Sequence, residues 1–329
     1  PNLDYRIMRG NSLFTTFSGE CLDLSKTNDA RTRLSKMKRQ LFDMQSDYYN
    51  LSGEAKWKKE IEIKHLLLDI VEEQLGMEKG KAASESLHQY DIYNETSGKI
   101  KKNVAKANEI YKRKAECVRK IAALRNLLGG NGTLHERART DIDFFDWEIM
   151  FSNVFAEGKE GFDIVIGNPP FVRKINAVIK KLIHTEYSTS SYQVDLYIAF
   201  MEKGVKLLSH QGIISYITPN PWLKNVAQSK IRLFMLDDIR LSIIVPKIAN
   251  AFENASVDTA VFVGCKNSNN KQLNVVYVED GQYKTKHKIS LDAFKNNDGY
   301  ILDVENTEDV RCIINKVQKD SCCIETLVV

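Results

Sequence analysis

Apolar residues in the first 130 positions recur at alternating three- and four-residue steps, which is the spacing of one face of a helix. Three such series contain no proline, and they are separated at residues 52–53 and 76–98. This pattern predicts three long helices packed as a bundle or an antiparallel coiled coil. The series comprise Leu34, Met37, Leu41, Met44, Tyr48 and Leu51; Trp57, Ile61, Lys64, Leu68, Val71 and Leu75; and Ile100, Val104, Ala107, Tyr111, Lys114, Val118, Ile121, Arg125 and Leu128.

Beyond residue 160 the pattern changes to short apolar runs that alternate with helical segments, which predicts an α/β fold. The first run, 162–166, is rich in β-branched residues and predicts a buried parallel strand. His210-Gln211-Gly212 predicts a turn, residues 172–193 show no clean period, and residues 5–8 predict a strand near the start of the chain. The other predicted strands are 213–217, 241–245, 258–263 (in a hairpin with 251–257), 273–278 and 286–290, and the predicted helices are 196–208, 227–236 and 307–319.

The loop Asn168-Pro169-Pro170-Phe171 directly follows the strand predicted at 162–166. In open α/β sheets, ligands bind at the carboxyl ends of the strands. The two prolines fix φ and remove two backbone donors, so the loop presents mainly hydrogen-bond acceptors. An amide oxygen and a carbonyl next to an aromatic ring suit a flat heterocycle with an exocyclic NH2 group, which donates two hydrogen bonds and stacks on Phe171.

These four residues resemble the catalytic motif, Asn-Pro-Pro-Tyr or Asn-Pro-Pro-Phe, of N6-adenine DNA methyltransferases. A rigid strand-to-helix connection is the ordinary alternative for such a loop. Residues 145–155 and 196–223 are also similar to the flanks of this motif in the type IIG and type IIS enzymes of restriction-modification systems. The resemblance implies a partial Rossmann-like, S-adenosylmethionine-dependent methyltransferase sheet with a long α-helical, coiled-coil-like insertion.

The resemblance assigns catalysis to the loop itself. Asn168 and the Pro169 carbonyl would accept hydrogen bonds from the amine of a flipped adenine in double-stranded DNA. Pro170 completes the motif, and Phe171 would stack on the flipped base. This arrangement calls for direct transfer of the methyl group, because positioning and electrostatics replace a covalent intermediate.

Other substrate contacts are implied further along the chain. Arg173 and Lys174 stand where the resembling enzymes lie beside DNA, and Lys180 and Lys181 suit the same place. Phe252 occupies the position of a second aromatic near the target base, with a core phenylalanine as an equal alternative. The lysines and arginines of the third predicted helix form either a face that contacts phosphates or, more commonly, a solvated face.

The segment Gly10-Asn11-Ser12-Leu13 resembles the family segment that follows the third strand and meets the adenine ring of S-adenosylmethionine. The resemblance implies that Asn11, Ser12 and Leu13, together with Asn168, bind this cofactor, whereas an ordinary Gly-Asn turn is the alternative. The sequence lacks the Gly-rich loop and the acidic residue that normally hold such a cofactor. We therefore expect an internal fragment that binds S-adenosylmethionine weakly or not at all by itself.

Amino-acid composition and net charge exclude few of the possible functional classes of protein. The 329 residues carry 47 Lys and Arg against 43 Asp and Glu, and a net charge of +4 does not by itself indicate a nucleic-acid partner. The six cysteines show no Cys-x-x-Cys pair, so we predict a reduced cytoplasmic protein with no metal site. No apolar stretch is long enough to span a membrane, so no membrane partner is predicted.

We predict four segments: the start of the methyltransferase core at 1–26, the helical insertion at 27–130, the catalytic core at 131–265, and a linker with the start of a target-recognition region at 266–329. The partners implied are an upstream cofactor-loop region, a downstream target-recognition domain and, where one is fused, a nuclease. Two alternatives stay open. The first is an RNA-adenine or protein-glutamine N-methyltransferase, and the second is a DNA-contacting scaffold that is inactive alone.

Overall fold

The computed structural model describes residues 4–22, 28–75, 98–155, 160–172, 175–191, 195–248, 258–279 and 281–307, and six positions between 309 and 317. The chain divides into two compact units, residues 1–156 and 157–329. Each unit has its own cluster of buried apolar side chains. None of the helices in the described ranges is both long enough and apolar enough to cross a membrane.

The first unit is built mainly from the three predicted long helices, which the structure confirms over the described residues. The centre of the unit is α2, where three consecutive leucines, Leu66 to Leu68, are all buried, so α2 is enclosed on more than one face. Arg125 of α3 reaches α2 and pairs with Asp69 and Glu72. The unit's helices are α1 (Asn28–Tyr48), α2 (Gly53–Leu75), α3 (Gly98–Gly129), α4 (Leu134–Ala138) and α5 (Trp147–Met150).

That these helices are an insertion in a methyltransferase sheet stays a prediction. The break expected over 76–98 lies outside the described residues apart from Gly98, which begins α3. The break at 52–53 is confirmed: α1 ends at Tyr48, and α2 begins at Gly53, which has a φ of 58°. Glycine adopts this left-handed conformation without a steric penalty.

A small antiparallel sheet completes the first unit. Its strands, in the order β2-β1-β3, are β1 (Thr16–Phe17), β2 (Glu20–Cys21) and β3 (Phe144–Phe145). The strand predicted at 5–8 is wrong. Tyr5 has a φ of 57° within a turn, and its ring contacts Tyr48 edge-on, with centroids 5.3 Å apart. Tyr5 therefore packs against Tyr48 of α1 instead of pairing with a strand, and Ile7 is 73% exposed.

The second unit contains a mixed six-stranded sheet in the order β4-β5-β7-β6-β8-β9, which confirms the predicted α/β class. Strands β4 and β5 are parallel, as are β6 and β8, and the other neighbours are antiparallel. The strands are β4 (Phe162–Gly167), β5 (Leu208–Pro219), β6 (Ile239–Ile248), β7 (Thr259–Lys266), β8 (Gln272–Glu279) and β9 (Gln282–Ser290).

Helices and short 3-10 turns pack around this sheet. Ile214 of β5, Ile244 of β6 and Phe262 of β7 are fully buried in one cluster with residues of α7 and α8. The predicted helices at 196–208 and 227–236 are confirmed, and the described positions between 309 and 317 are helical. The helices are α6 (Ala177–Glu186), α7 (Leu196–Lys206), α8 (Ser229–Asp237) and α9 (Leu291–Lys295), and the 3-10 turns used below are Asn220–Leu223 and Asp298–Tyr300.

A fully buried arginine, Arg232 of α8, ties three backbone segments together. Its Nη1 donates to the carbonyls of Trp222 and Asn225, each at 2.7 Å. Its Nε and Nη2 donate to the carbonyl of Gly299 at 2.9 and 2.8 Å. Because a buried charge is tolerated only when it is well hydrogen-bonded, these carbonyls hold the guanidinium in place and are fixed by it in turn.

The turn predicted at residues 210–212 is wrong. Residues 210–212 form no turn but lie inside β5, at a register shift in its pairing with β4, where Phe162 is opposite Leu208 and Ile164 is opposite Ile213. Lys266 Nζ and Asn267 Nδ2 donate to the carbonyls of Leu208 and His210 at 3.0 and 2.9 Å. Residues 172–193, which show no clean period, nevertheless contain α6. That helix is short, and the Asn176 side chain caps it by accepting from the Ile179 backbone N–H at 2.8 Å.

The strand predicted at 162–166 is parallel, as expected, but it is not buried. Within the described sheet β4 lies at an edge, and the side chains of Ile164 and Ile166 are 65% and 79% exposed. Val165 points to the other face and packs against the core. A continuous apolar run does not distinguish a central strand from an edge strand, so periodicity could not reveal this difference.

Candidate functional site

The loop Asn168–Phe171 lies at the carboxyl edge of the parallel pair formed by β4 and β5. The pairing continues to the last residue before the loop, since Gly167 is opposite Tyr216. Parallel strands end at the same edge of a sheet, so the loop leaves β4 beside the last residues of β5. The structure therefore places the loop at the type of edge where open α/β sheets bind ligands.

Within the loop, exposed and buried residues alternate. Asn168 and Pro170 are exposed, Pro169 is buried, and Phe171 is half-buried. Burial of Pro169 anchors the loop, while the Asn168 amide remains accessible to a ligand. The two prolines supply no N–H, so the hydrogen-bonding groups that the loop offers at these positions are acceptors.

A tyrosine ring supports the strand end that carries this loop. The ring of Tyr216 lies so close to Gly167 that a Cβ there would be 3.1 Å from Tyr216 Cε1. On its other side, a Cβ at Gly204 of α7 would be 2.6 Å from the Tyr216 hydroxyl oxygen. Burial raises the pKa of this hydroxyl to about 12, so the ring stays neutral. Two glycines thus make room for one ring that fixes the position of β4 relative to α7.

The buried carboxylate of Glu202 on α7 holds residues 188–189, which lie between α6 and α7. It accepts hydrogen bonds from the backbone N–H groups of Ser188 and Thr189 at 3.1 and 2.8 Å, and from the Ser188 hydroxyl. Lys206 Nζ lies 2.7 Å from the same carboxylate. Burial raises the pKa of Glu202, but the hydrogen bonds from Lys206 and Thr189 outweigh it and leave the pKa below its usual value. Glu202 is therefore an ionised anchor for the chain between α6 and α7.

A second loop with an Asn-Pro sequence lies at the same edge, after β5. Trp222 Nε1 donates to Thr218 Oγ1 at 3.0 Å, and both side chains are fully buried. The Asn220 backbone N–H donates to the carbonyl of Asp258, the residue before β7, at 2.9 Å. Sequence reasoning missed Asn220 as a candidate. The available signal was the repetition of Asn-Pro directly after a second strand.

The cofactor residues expected near the start of the chain belong to the first unit. Asn11 Oδ1 accepts from the backbone N–H groups of Leu13 and Phe14 at 2.9 and 3.2 Å, and Trp147 Nε1 donates to the carbonyl of Ser12 at 3.0 Å. A Cβ at Gly10 would be about 2.1 Å from the Phe145 ring, so only glycine fits there. These contacts support an ordinary Gly-Asn turn in this segment. Cofactor binding by Asn11, Ser12 and Leu13 stays a prediction.

The remaining expected contacts fall partly outside the structure. Arg173, Lys174 and Phe252 lie outside the described residues. Lys180 is half-buried and Lys181 is exposed, both on α6. Within the ranges that the structure describes, no three His, Cys, Asp or Glu side chains are grouped so that they could hold a metal ion.

Residues 21–252 match the sequence model of the family described as Eco57I restriction-modification methylase. The type II methyltransferase M.BstVI of Geobacillus stearothermophilus is 33% identical over 123 residues, which cover 36% of this chain and 22% of that protein. The putative type II restriction enzyme and methyltransferase RM.MjaORFECS2P of Methanocaldococcus jannaschii is 28% identical over 153 residues, covering 46% of this chain and 12% of that protein.

The type II restriction enzyme and methyltransferase RM.Eco57I of Escherichia coli is 27% identical over 122 residues, covering 36% of this chain and 12% of that protein. The chain thus spans less than a quarter of the length of these three relatives. Among solved structures, that of the type IIG restriction endonuclease BpuSI is similar, with 19% identity and a TM-score of 0.37, over 48% of this chain and 22% of that one.

The support of β4 by Tyr216 gives a first prediction. Gly204→Ala should destabilise the chain by about 1–3 kcal/mol, because the new methyl group collides with the Tyr216 hydroxyl and with Ile214 Cδ1. In a Tyr216→Phe background the same substitution should cost about 1 kcal/mol less, since the colliding oxygen is gone. Urea unfolding of the two single variants and the double variant measures this coupling. An identical cost in both backgrounds would show that the ring does not rest on Gly204.

The Glu202 anchor gives a pH-dependent prediction. Because the pKa of Glu202 is lowered by folding, its ionised form stabilises the fold above the unfolded pKa of about 4.3, and this contribution is lost as the pH falls through the folded pKa. Glu202→Gln should therefore cost about 1–3 kcal/mol at pH 7. Thermal unfolding from pH 7 to pH 3 should show the difference from wild type narrowing in acid. A difference that does not change with pH would exclude an ionised anchor.

Proposed function

Since the chain belongs to the Eco57I restriction-modification methylase family, we propose that it forms part of an S-adenosylmethionine-dependent methyltransferase that acts on the N6 amine of adenine in DNA. The observation that carries this proposal is the position of Asn168-Pro169-Pro170-Phe171, which directly follows a parallel strand at the carboxyl edge of the sheet. In this proposal the mixed sheet of the second unit is part of a Rossmann-like methyltransferase core, and α1 to α3 form the helical insertion.

Methyl transfer to this amine requires hydrogen-bond acceptors for the amine hydrogens, and the loop supplies such acceptors. The lone pair of the adenine N6 is delocalised into the ring, so the amine is a poor nucleophile. Acceptors on both amine hydrogens, Asn168 Oδ1 and the Pro169 carbonyl, favour a pyramidal nitrogen whose lone pair is directed at the methyl group. Because Asn168 is exposed and Pro169 is buried, one acceptor is accessible and the other is held rigidly. Rigid placement and electrostatics then lower the barrier without a covalent intermediate.

The base must leave the duplex to reach this loop, because its amine is inaccessible inside the stack. The half-buried Phe171 supplies an aromatic surface, and base-aromatic stacking is worth about 1–3 kcal/mol, which offsets part of the unstacking cost. Double-stranded DNA is therefore the proposed partner. The proposed phosphate contacts are Lys181, exposed on α6, together with Arg173 and Lys174, which follow the loop in sequence.

S-adenosylmethionine would supply an activated methyl group when bound. The turn at Asn11 fits this role in part, since its Oδ1 is engaged by Leu13 and Phe14 while its exposed side chain retains an amide NH2 group that can donate to an adenine ring nitrogen. Because the chain spans less than a quarter of its relatives' length, we propose that the rest of the cofactor site, target recognition and any nuclease belong to other parts of a longer cytoplasmic enzyme.

The role of Asn168 can be tested in the complete gene product. Asn168→Ala should lower methyl transfer from labelled S-adenosylmethionine to unmethylated bacterial DNA by about 10²–10³-fold, because it removes an acceptor that orients the amine. DNA affinity, measured by gel shift, should change little. The control is Asn126→Ala, at an exposed asparagine on α3.

Full methyl transfer by the Asn168→Ala protein would remove the loop from the mechanism. Methyl transfer to RNA or to a protein glutamine in place of DNA would favour the alternative substrates. Absence of transfer in the wild-type complete protein, with DNA binding intact, would favour a scaffold.

A further inference from the structure

The hairpin formed by β8 and β9 carries a run of exposed hydrogen-bond donors at the start of β9. Residues 282–286, with the sequence Gln-Tyr-Lys-Thr-Lys, are five consecutive exposed positions, and each of these side chains can donate a hydrogen bond. The sequence has no acidic residue from 281 to 291. Lys, Tyr, Thr and Gln side chains are all common donors to phosphate oxygens. We call residues 282–286 the donor run, and its composition favours an anionic partner.

The sheet places the donor run at the same edge as the loop that begins at Asn168. Strands β4 and β5 are parallel, β6 and β8 are parallel, and β7 is antiparallel to both β5 and β6, so β8 runs in the same direction as β4. The hairpin therefore turns at the carboxyl edge, and β9 starts there at Gln282. Neighbouring strands are about 4.8 Å apart, which puts β9 roughly 24 Å from β4. This separation corresponds to about seven base pairs of B-DNA, so one duplex can reach both places.

The two lysines of the donor run keep charge that is available to a partner. Lys286 Nζ lies 4.9 Å from the centre of the Tyr277 ring, which positions the ammonium group without neutralising it. Within the ranges that the structure describes, Lys286 forms no salt bridge. Lys284 Nζ lies 3.6 Å from the Glu279 carboxylate, and both side chains are about half exposed. Exposed pairs of this kind are weak, so Lys284 can exchange its carboxylate partner for a phosphate.

Two other lysines at this edge differ from those of the donor run, because carboxylates compensate them. Lys224 Nζ lies 2.7 Å from Glu305 and 3.3 Å from Asp303, and Lys247 also pairs with Glu305. Hydrogen bonds from the two lysines lower the pKa of Glu305 to about 2, so this carboxylate is ionised at neutral pH. The donor run, by contrast, carries positive charge that the hairpin compensates only in part.

We propose that the donor run binds the phosphate backbone of double-stranded DNA. Lys284 and Lys286 make the ionic contacts, and Tyr283, which is 76% exposed, donates its hydroxyl to a neighbouring phosphate. Contacts of this kind hold the duplex in register and are independent of its sequence. The inference rests on the proposed function in one respect: a duplex whose base reaches Asn168 is what passes over this edge.

The salt dependence of DNA binding tests the proposal. Fluorescence anisotropy of the complete gene product with a labelled duplex of about 20 base pairs, from about 50 to 200 mM salt, gives the slope of log affinity against log salt. The Lys284→Gln/Lys286→Gln double variant should bind roughly tenfold more weakly, and its slope should fall by about 2, because two phosphate contacts are lost. Lys286→Arg keeps the charge and should keep the slope.

Lys271→Gln is the matched control. Lys271 is exposed and directly precedes β8, so it lies at the opposite end of the same hairpin, away from the carboxyl edge. This variant should leave both the affinity and the slope unchanged. Equal losses in Lys271→Gln and in the double variant would mean that overall charge, and not the donor run, determines binding, which overturns the proposal.

A second reading of these lysines is tested in the same samples. Lysines on an edge strand also prevent association with other strands. If the double variant self-associates in light scattering but binds DNA with the wild-type slope, edge protection explains the lysines and the proposal is wrong. A loss of affinity for single-stranded RNA, with duplex binding unchanged, would overturn it as well.

Methyl transfer separates this proposal from the proposed function. At saturating DNA the double variant should transfer methyl groups as the wild type does, because neither lysine belongs to the loop at Asn168. Active transfer together with a wild-type salt slope in the double variant would overturn the proposal and leave the proposed function standing. A reduced slope in the double variant, with no methyl transfer by the wild type, would confirm the DNA contact and overturn the proposed function.

Discussion

The parallel pairing of β4 with β5 is the constraint on which the candidate site depends. It continues to Gly167 opposite Tyr216, and the Tyr216 ring packed between Gly167 and Gly204 fixes the point at which the chain leaves the sheet. The next residue is Asn168, so backbone hydrogen bonds and one buried ring determine where its amide lies. The loop itself adds little hydrogen bonding, because two of its four residues are prolines.

Much of this arrangement was predictable because its signals are local in sequence. Apolar periodicity identified α1, α2 and α3, and an apolar run ending in Gly167 identified β4 and its loop. The errors arose where distant residues decide the structure. Residues 210–212 lie inside β5, where Asn267, a distant residue in sequence, donates to the His210 carbonyl. The exposure of Ile164 and Ile166 depends on which strands are neighbours, and an apolar run carries no such information.

The roles of the residues around the site also depend on contacts between residues that are distant in sequence. Glu202 and Asn220 acquire their roles from tertiary contacts, with Ser188 and Thr189 in one case and Asp258 in the other. Composition gives no sign of either contact. Asn168 could be recognised from the sequence because the hydrogen-bond acceptors and the aromatic ring of its motif lie within four consecutive residues. Sequence therefore identified the loop that the proposal places at the reacting amine, whereas the carboxylate and the second amide emerged only from the fold.

We propose that the loop at Asn168 directs methyl transfer to the N6 amine of adenine in DNA. The most direct test is mass spectrometry of nucleosides from the DNA of a methylation-free bacterial host that expresses the complete gene product. We expect N6-methyl-2′-deoxyadenosine as the new modified nucleoside. Appearance of N4-methyl- or 5-methyl-2′-deoxycytidine without the adenine product would contradict it.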